Sequence, residues 1–113
     1  LHGTATPLND EMESKAVSHV FDKSIAVSST KGMTGHALGA AAALELGICW
    51  MLLTANDEQG LLVPNINDDI LDESLPKLNY VKQGQTLGRQ INSCQSNSFA
   101  FGGNNISLVV VRT

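Results

Sequence analysis

The stretch Ser28-Ser29-Thr30-Lys31-Gly32-Met33-Thr34-Gly35-His36-Ala37-Leu38-Gly39 constrains the chain more than any other. Twelve positions hold a cation, an imidazole, three glycines and four hydroxyl side chains. An apolar run, Ile25-Ala26-Val27, leads into it. An alanine-rich segment from Ala37 to Ala55, with Glu45 as its only charge, leads out. This is a strand–loop–helix layout with polar chemistry at the loop, where α/β folds place their sites.

The flanking sequence supports an α/β layer. Residues 2–10 form a loop rich in turn formers. Asp10 followed by Glu13 looks like a capping box. Met12, Ala16, Val17, Val20 and Phe21 then recur at helical spacing, which predicts a helix over about residues 10–21. A strand is expected at about 25–29. Ala37–Ala55 is long enough for a membrane span, but Gly39, Gly47 and a central Glu45 argue for a buried helix instead. Asn56–Gly60 ends it. Residues 65–89 are polar surface connection, with Leu78–Val81 as an edge strand. Residues 90–98 and a buried strand over 106–111 make a hairpin around a turn at 99–105.

With 113 residues, 42% of them hydrophobic and 16% charged, the composition is that of one globular domain. The net charge is −4 and the seven Lys and Arg are scattered, so nothing resembles a nucleic-acid footprint. Cys49 and Cys94 have neither zinc spacing nor a disulfide framework and read as inert packing residues, which suits a reducing cytoplasm. No signal peptide is visible. The chain begins on Leu1 and meets a functional-looking residue at His2, so a piece of a longer protein is expected.

Three motifs occur in order: His2-Gly3-Thr4-x-Thr6-Pro7-x-x-Asp10, Ser29-Thr30-Lys31-x-Met33-Thr34-Gly35-His36-x-Leu38-Gly39-Ala40-Ala41, and Ser96-Asn97-Ser98-Phe99-x-Phe101-Gly102-Gly103-x-Asn105. Together they resemble the C-terminal half of a β-ketoacyl-acyl-carrier-protein synthase of the elongating type. The resemblance spans nearly all of residues 1–113 and implies half of a thiolase-like layered α-β-α-β-α fold, with the nucleophilic cysteine on the absent N-terminal half. It implies decarboxylative Claisen condensation of an acyl thioester with malonyl-carrier protein, in fatty acid or related polyene or polyketide synthesis.

The same resemblance assigns roles. His2 and His36 are the paired catalytic histidines, and imidazole hydrogen bonds suit the enolate-like oxygen that decarboxylation creates. Lys31 has an electrostatic and positioning role. Glu45 matches the glutamate that holds this lysine, and Glu13 a second supporting acid. Thr4 and Thr6 line the pantetheine arm. Phe99 and Phe101 belong to a mobile gate, and the Phe101 backbone N–H forms half of an oxyanion hole. Ala100 replaces a glycine usual in that gate, which implies a stiffer turn or a reshaped acyl pocket. Gly32 sits where various side chains occur and carries no inference. No metal is assigned, and no cofactor beyond the carrier's phosphopantetheine. The implied partners are an acyl carrier protein and a second copy in a homodimer, without nucleic acid or membrane.

Each residue also has a plainer reading. His2, His36 and Lys31 would singly be surface or loop residues, Glu13 half of a capping box, and Phe99 and Phe101 core residues. Glu45 needs a partner because a carboxylate in an apolar helix is costly. Nine residues separate it from His36, which on an ideal helix puts the two on opposite faces, so Lys31 is the better partner. Rival functions are a non-catalytic partner like a chain-length factor, disfavoured by the retained His2, Lys31 and His36, and a thiolase-fold enzyme acting on coenzyme A. The isolated piece is expected to be inactive for want of the cysteine.

Overall fold

The computed structural model describes residues 1–113 except Asn56 and Asp69. The parts of the expected helix end and surface connection that fall on those two positions lie outside the described residues. The chain divides into two compact units, Leu1–Gly35 with Val63–Gln83, and His36–Leu62 with Gly84–Thr113. Both mix helix and strand, as an α/β chain should.

In the first unit, helix α1 spans Pro7–Val20. Pro7 at its start has φ preset for a helix, and its missing N–H would have had no partner there. The extended Thr6 precedes it, and the Thr6 carbonyl accepts the Asp10 N–H at 3.0 Å. The expected capping box is therefore corrected. Asp10 lies inside the first turn, where its charge favours the helix dipole, and Glu13 bonds elsewhere. The sheltered residues are Glu13, Ser14 and Val17, whereas Met12, Ala16 and Val20 of the expected apolar face are exposed. A polar tie at Glu13, not apolar spacing, sets which side is covered.

Strand β1, Ala26–Val27, pairs in parallel with β2, Asn79–Tyr80. The ladder continues through Val81 N–H to the Val27 carbonyl at 2.9 Å and Asn65 N–H to the Val81 carbonyl at 2.8 Å. The strand expected at 25–29 is thus shorter. Ser28 and Ser29 leave the ladder because they bond to Pro64 and Asn65 instead. Lys31–Thr34 forms a single helical turn, α2, where an open loop was expected. Gly35 ends it at φ 70°. Val17, Val27 and Val81 are this unit's buried apolar residues.

In the second unit, a 3-10 turn at Leu38–Ala40 precedes helix α3, Ala41–Thr54. The unbroken helix expected from Ala37 is corrected, because Leu38 sits in the left-handed region at φ 49°. Strands β3, Ser93–Ala100, and β4, Asn104–Val111, pair antiparallel from Ser93↔Val111 to Ala100↔Asn104. The hairpin was expected, and its strands reach further into the turn than the sequence suggested. Helix α3 lies mainly over β3. Two expectations of burial fail as a result. Only Ala41, Glu45 and Leu53 of α3 are buried, and Trp50 is 61% exposed. On β4, Ile106, Leu108, Val109 and Val111 are exposed, since little of α3 covers that strand.

Candidate active site

The first unit carries His2, Thr4, Thr6, Glu13 and Lys31. His2 is buried, at 7% exposure. Its backbone N–H donates to Glu13 Oε1 at 2.8 Å, and the Gly3 N–H donates to Oε2 at 2.9 Å. A carboxylate on α1 thus grips two successive amides and fixes the backbone on which the imidazole stands. Hydrogen bonds to a charged acceptor are the stronger kind.

Gly3 adopts φ 47°, and a Cβ there would lie 2.7 Å from the Ser29 side chain. This close approach joins the first motif to the second. Ser29 Oγ donates to the Gly3 carbonyl at 3.1 Å, and the Lys31 N–H reaches Ser29 Oγ at 3.4 Å. The Ser29 N–H donates to Asn65 Oδ1 at 2.9 Å, and Ser28 Oγ to the Pro64 carbonyl at 3.2 Å. At Gly32 a Cβ would stand 2.1 Å from the Ile66 carbonyl oxygen. The sequence carried no inference here, and the structure supplies one: only glycine lets the Lys31 turn press this close to the 64–66 segment. Thr4 and Thr6 share a hydroxyl–hydroxyl hydrogen bond of 2.9 Å.

The second unit carries His36, Glu45, Phe99 and Phe101. His36 is exposed and precedes the 3-10 turn, so the helical-spacing argument relating it to Glu45 lapses. Glu45 is buried on the stripe Ala41, Glu45, Cys49, Leu53, whose i, i+4 spacing keeps it on one face of α3. Phe99 is half-buried opposite Asn105, and the Phe101 side chain is fully exposed. Ala100 has φ −125° and ψ 162°, ordinary extended backbone. The conformations that favour glycine fall on Gly102 and Gly103, both at φ 79°. Alanine at position 100 therefore adds no backbone strain in this conformation.

Two polar anchors escaped the sequence reading. Asn65 fixes Ser29, and its only signal was a turn-forming residue after Pro64. Asn97 is buried on β3, where its Oδ1 accepts Gln95 Nε2 at 2.8 Å and Ser107 Oγ at 2.8 Å. A buried strand amide needs such partners, so Ser96-Asn97-Ser98 did carry a signal. Cys49 and Cys94 are both free thiols, each half-buried. Tyr80 is held above its ordinary pKa, first by burial and then by the charges of Asp10 and Glu13.

Among the described residues, no group of three or more His, Cys, Asp or Glu side chains is placed to hold a metal ion. No described helix is long and apolar enough to cross a membrane. What the geometry provides chemically is an imidazole and an ammonium on backbone segments locked by a shared polar network. Donors fixed before a reaction stabilise developing negative charge without reorganisation cost.

A family model described as "Beta-ketoacyl synthase, C-terminal domain" matches residues 1–69. The 3-oxoacyl-[acyl-carrier-protein] synthase 1 of Escherichia coli (strain K12) is 46% identical over 110 residues, covering 96% of this chain and 26% of the relative. The Haemophilus influenzae synthase 1 is 45% identical over 114 residues, 99% of this chain and 27% of its own length. The Coxiella burnetii 3-oxoacyl-[acyl-carrier-protein] synthase 2 is 41% identical over 114 residues, with 98% and 26% covered. The chain spans about a quarter of the length of these curated relatives.

Proposed function

Because this chain belongs to the β-ketoacyl synthase C-terminal domain family, we propose that the protein carrying it is a condensing acyltransferase. Its reaction joins an acyl thioester to malonyl-carrier protein by decarboxylative Claisen condensation. A cysteine outside these residues holds the acyl group. The malonyl carboxylate leaves as carbon dioxide, and the electron pair of the broken C–C bond passes into the thioester as an enolate. The imidazoles of His2 and His36 donate hydrogen bonds to that oxygen. The enolate carbon attacks the acyl carbonyl, the resulting oxyanion accepts the Phe101 backbone N–H, and collapse expels the cysteine thiolate.

Lys31 supplies positive charge behind the histidines, with Glu45 as its counter-charge. Glu13 is a positioning residue, acting through the His2 backbone. Thr4 and Thr6 line the pantetheine arm, and Phe99 and Phe101 border the acyl group. The partner is an acyl carrier protein, the full-length protein is a homodimer, and the setting is cytoplasmic.

One observation carries this reading: all three motifs are present in order within a chain that aligns over 96% of its length with a synthase of this kind. In the first unit the support is the Glu13 grip on His2 and the Ser29 link to Lys31. The test measures malonyl-carrier decarboxylation and condensation by the full-length protein. His2→Ala and His36→Ala should each lower decarboxylation about 100-fold or more, the scale on which a lost transition-state donor acts. The 113-residue chain alone should not condense. Turnover by that chain, or full activity in both histidine variants, would refute the assignment.

A further inference from the structure

Ser29 joins two parts of the first unit's polar network. A hydroxyl has one proton to give and lone pairs that receive, and Ser29 uses both. Its Oγ donates to the Gly3 carbonyl at 3.1 Å and accepts the Lys31 N–H at 3.4 Å. Gly3 is thereby pinned at both of its backbone polar groups, since its N–H is held by Glu13 Oε2 at 2.9 Å. One serine ties the backbone beside His2 to the backbone of Lys31.

Ser29 is held in turn by a segment 36 positions further along the chain. Residues 64–66 meet the loop three times. The Pro64 carbonyl accepts Ser28 Oγ, Asn65 Oδ1 accepts the Ser29 N–H, and the Ile66 carbonyl fills the space a side chain at Gly32 would need. Asn65 makes its contact through a side chain and is anchored separately by its main chain. Its N–H donates to the Val81 carbonyl at 2.8 Å, and the Val81 N–H donates to the Val27 carbonyl at 2.9 Å. Asn65 therefore reaches from the β1–β2 ladder to the loop that follows β1.

We propose that Asn65 is a positioning residue for the reaction, setting the placement of Lys31 relative to His2 through Ser29. A chain that turns away from a ladder needs a new acceptor for each amide it takes with it. Asn65 Oδ1 supplies one for Ser29 and so fixes that peptide plane, from which both the Ser29 hydroxyl and Lys31 take their direction. Misplacing a reacting group by about 1 Å can cost on the order of 100-fold in rate. The inference takes from the condensation reading what His2 and Lys31 do. The placement itself rests on the hydrogen bonds.

The experiment uses the full-length protein. Asn65→Leu removes the acceptor at similar volume, with Asn65→Ala in its place if the leucine variant does not fold. Asn65→Asp keeps an acceptor, and Ser29→Ala removes the shared hydroxyl. Thermal unfolding confirms that each variant is folded. Malonyl-carrier decarboxylation and hydrogen exchange at the Ser29 amide are then measured. Loss of the acceptor should lower kcat roughly tenfold or more, leave KM within about twofold and speed the exchange of that amide. Ser29→Ala should lower kcat to a similar extent. The double variant should be within about twofold of the poorer single one, because the two residues act in series. Asn65→Asp should recover most of the rate. Unchanged kcat in a folded variant without the acceptor, or full additivity in the double variant, would overturn the proposal. An inactive unsubstituted protein would sink the condensation reading instead. The amide exchange then decides this inference, and exchange at Ser29 that does not respond to Asn65→Leu or Asn65→Ala overturns it.

Discussion

Each of the two units is held together internally, and by different means. The first has strands of two residues and one helix whose sheltered face is led by a glutamate. Its order comes from side chains that bond to distant backbone: Glu13 to His2 and Gly3, Ser29 to Gly3, and Asn65 to Ser29. The second is a helix on an eight-residue-strand hairpin, with Ala41, Leu53 and Ile91 as buried apolar residues. The contrast teaches that a catalytic loop can be positioned by a polar network that secondary structure barely contributes to. Such a network is specific, because each donor has one acceptor. It is also brittle, because removing one member strands a buried group.

If that contrast is right, the largest single effect should come from a loop residue. Gly32→Val places a side chain where the Ile66 carbonyl oxygen would lie 2.1 Å from the new Cβ. Neither partner is a flexible side-chain tip, so backbone must move. A loss of about 3 kcal/mol or more is expected in chemical denaturation, together with loss of activity. A variant within 1 kcal/mol of the parent, roughly the noise of a surface substitution, would mean the 64–66 segment is not pressed on this turn.

Next comes the second unit's own test. Leu53 is 4% exposed on the covered stripe of α3. Leu53→Ala should cost about 2–3 kcal/mol, the lower part of the range for buried leucines, because the apolar cluster around it is small. Its signature should differ from that of the loop variants, with stability lost and the kcat of the folded fraction retained. Equal losses of kcat for Leu53→Ala and Gly32→Val would erase the distinction between the units.

The sequence and the structure agree where information is local and diverge where it is not. The hairpin was legible because strand alternation and the Gly102-Gly103 turn are written within twenty residues. The start of α1 was missed: Thr6-Pro7 carried the signal, but Asp10 and Glu13 offered a competing pattern. Glu13 was bonding to His2, a partner eleven residues away that no capping rule anticipates. The β1–β2 pairing joins residues more than fifty positions apart and left no local trace. Apolar composition overstated burial on α3 and β4, because a run of valines states a preference for cover and says nothing of what provides it. The motif residues themselves were legible through resemblance. Asn65 and Gly32 were not, since their importance lies in one neighbour each.

A sharper probe of the polar network is Glu13. Glu13→Ala leaves the His2 and Gly3 amides without their carboxylate, and about 2 kcal/mol should be lost. Glu13→Gln keeps one acceptor oxygen and should lose about half of that. The readout that separates positioning from bulk stability is kinetic. Under conditions where both variants are folded, malonyl decarboxylation should fall in the order Glu13, Gln, Ala while the affinity for the carrier substrate stays nearly constant. Unchanged decarboxylation in a folded Glu13→Ala protein would show that the grip on His2 has no functional consequence.

The smallest effect tests the same network through pH. Tyr80 is half-buried, and burial followed by the Asp10 and Glu13 charges raises its pKa above 10.0. The folded state therefore holds the phenolic proton more tightly than the unfolded chain does. The stability contributed is fully present below pH 10, and it disappears as pH rises through the folded-state value. Protein with Tyr80 should show a small alkaline decline in stability that Tyr80→Phe lacks, and the difference absorbance spectrum of the two should place the titration above the usual tyrosine range. The two lesser causes can be separated from burial: Glu13→Gln removes one nearby negative charge and should move the titration downward. A Tyr80 that titrates at or below 10 would mean that neither burial nor the carboxylates of α1 act on it, and the packing of the first unit would have to be redrawn.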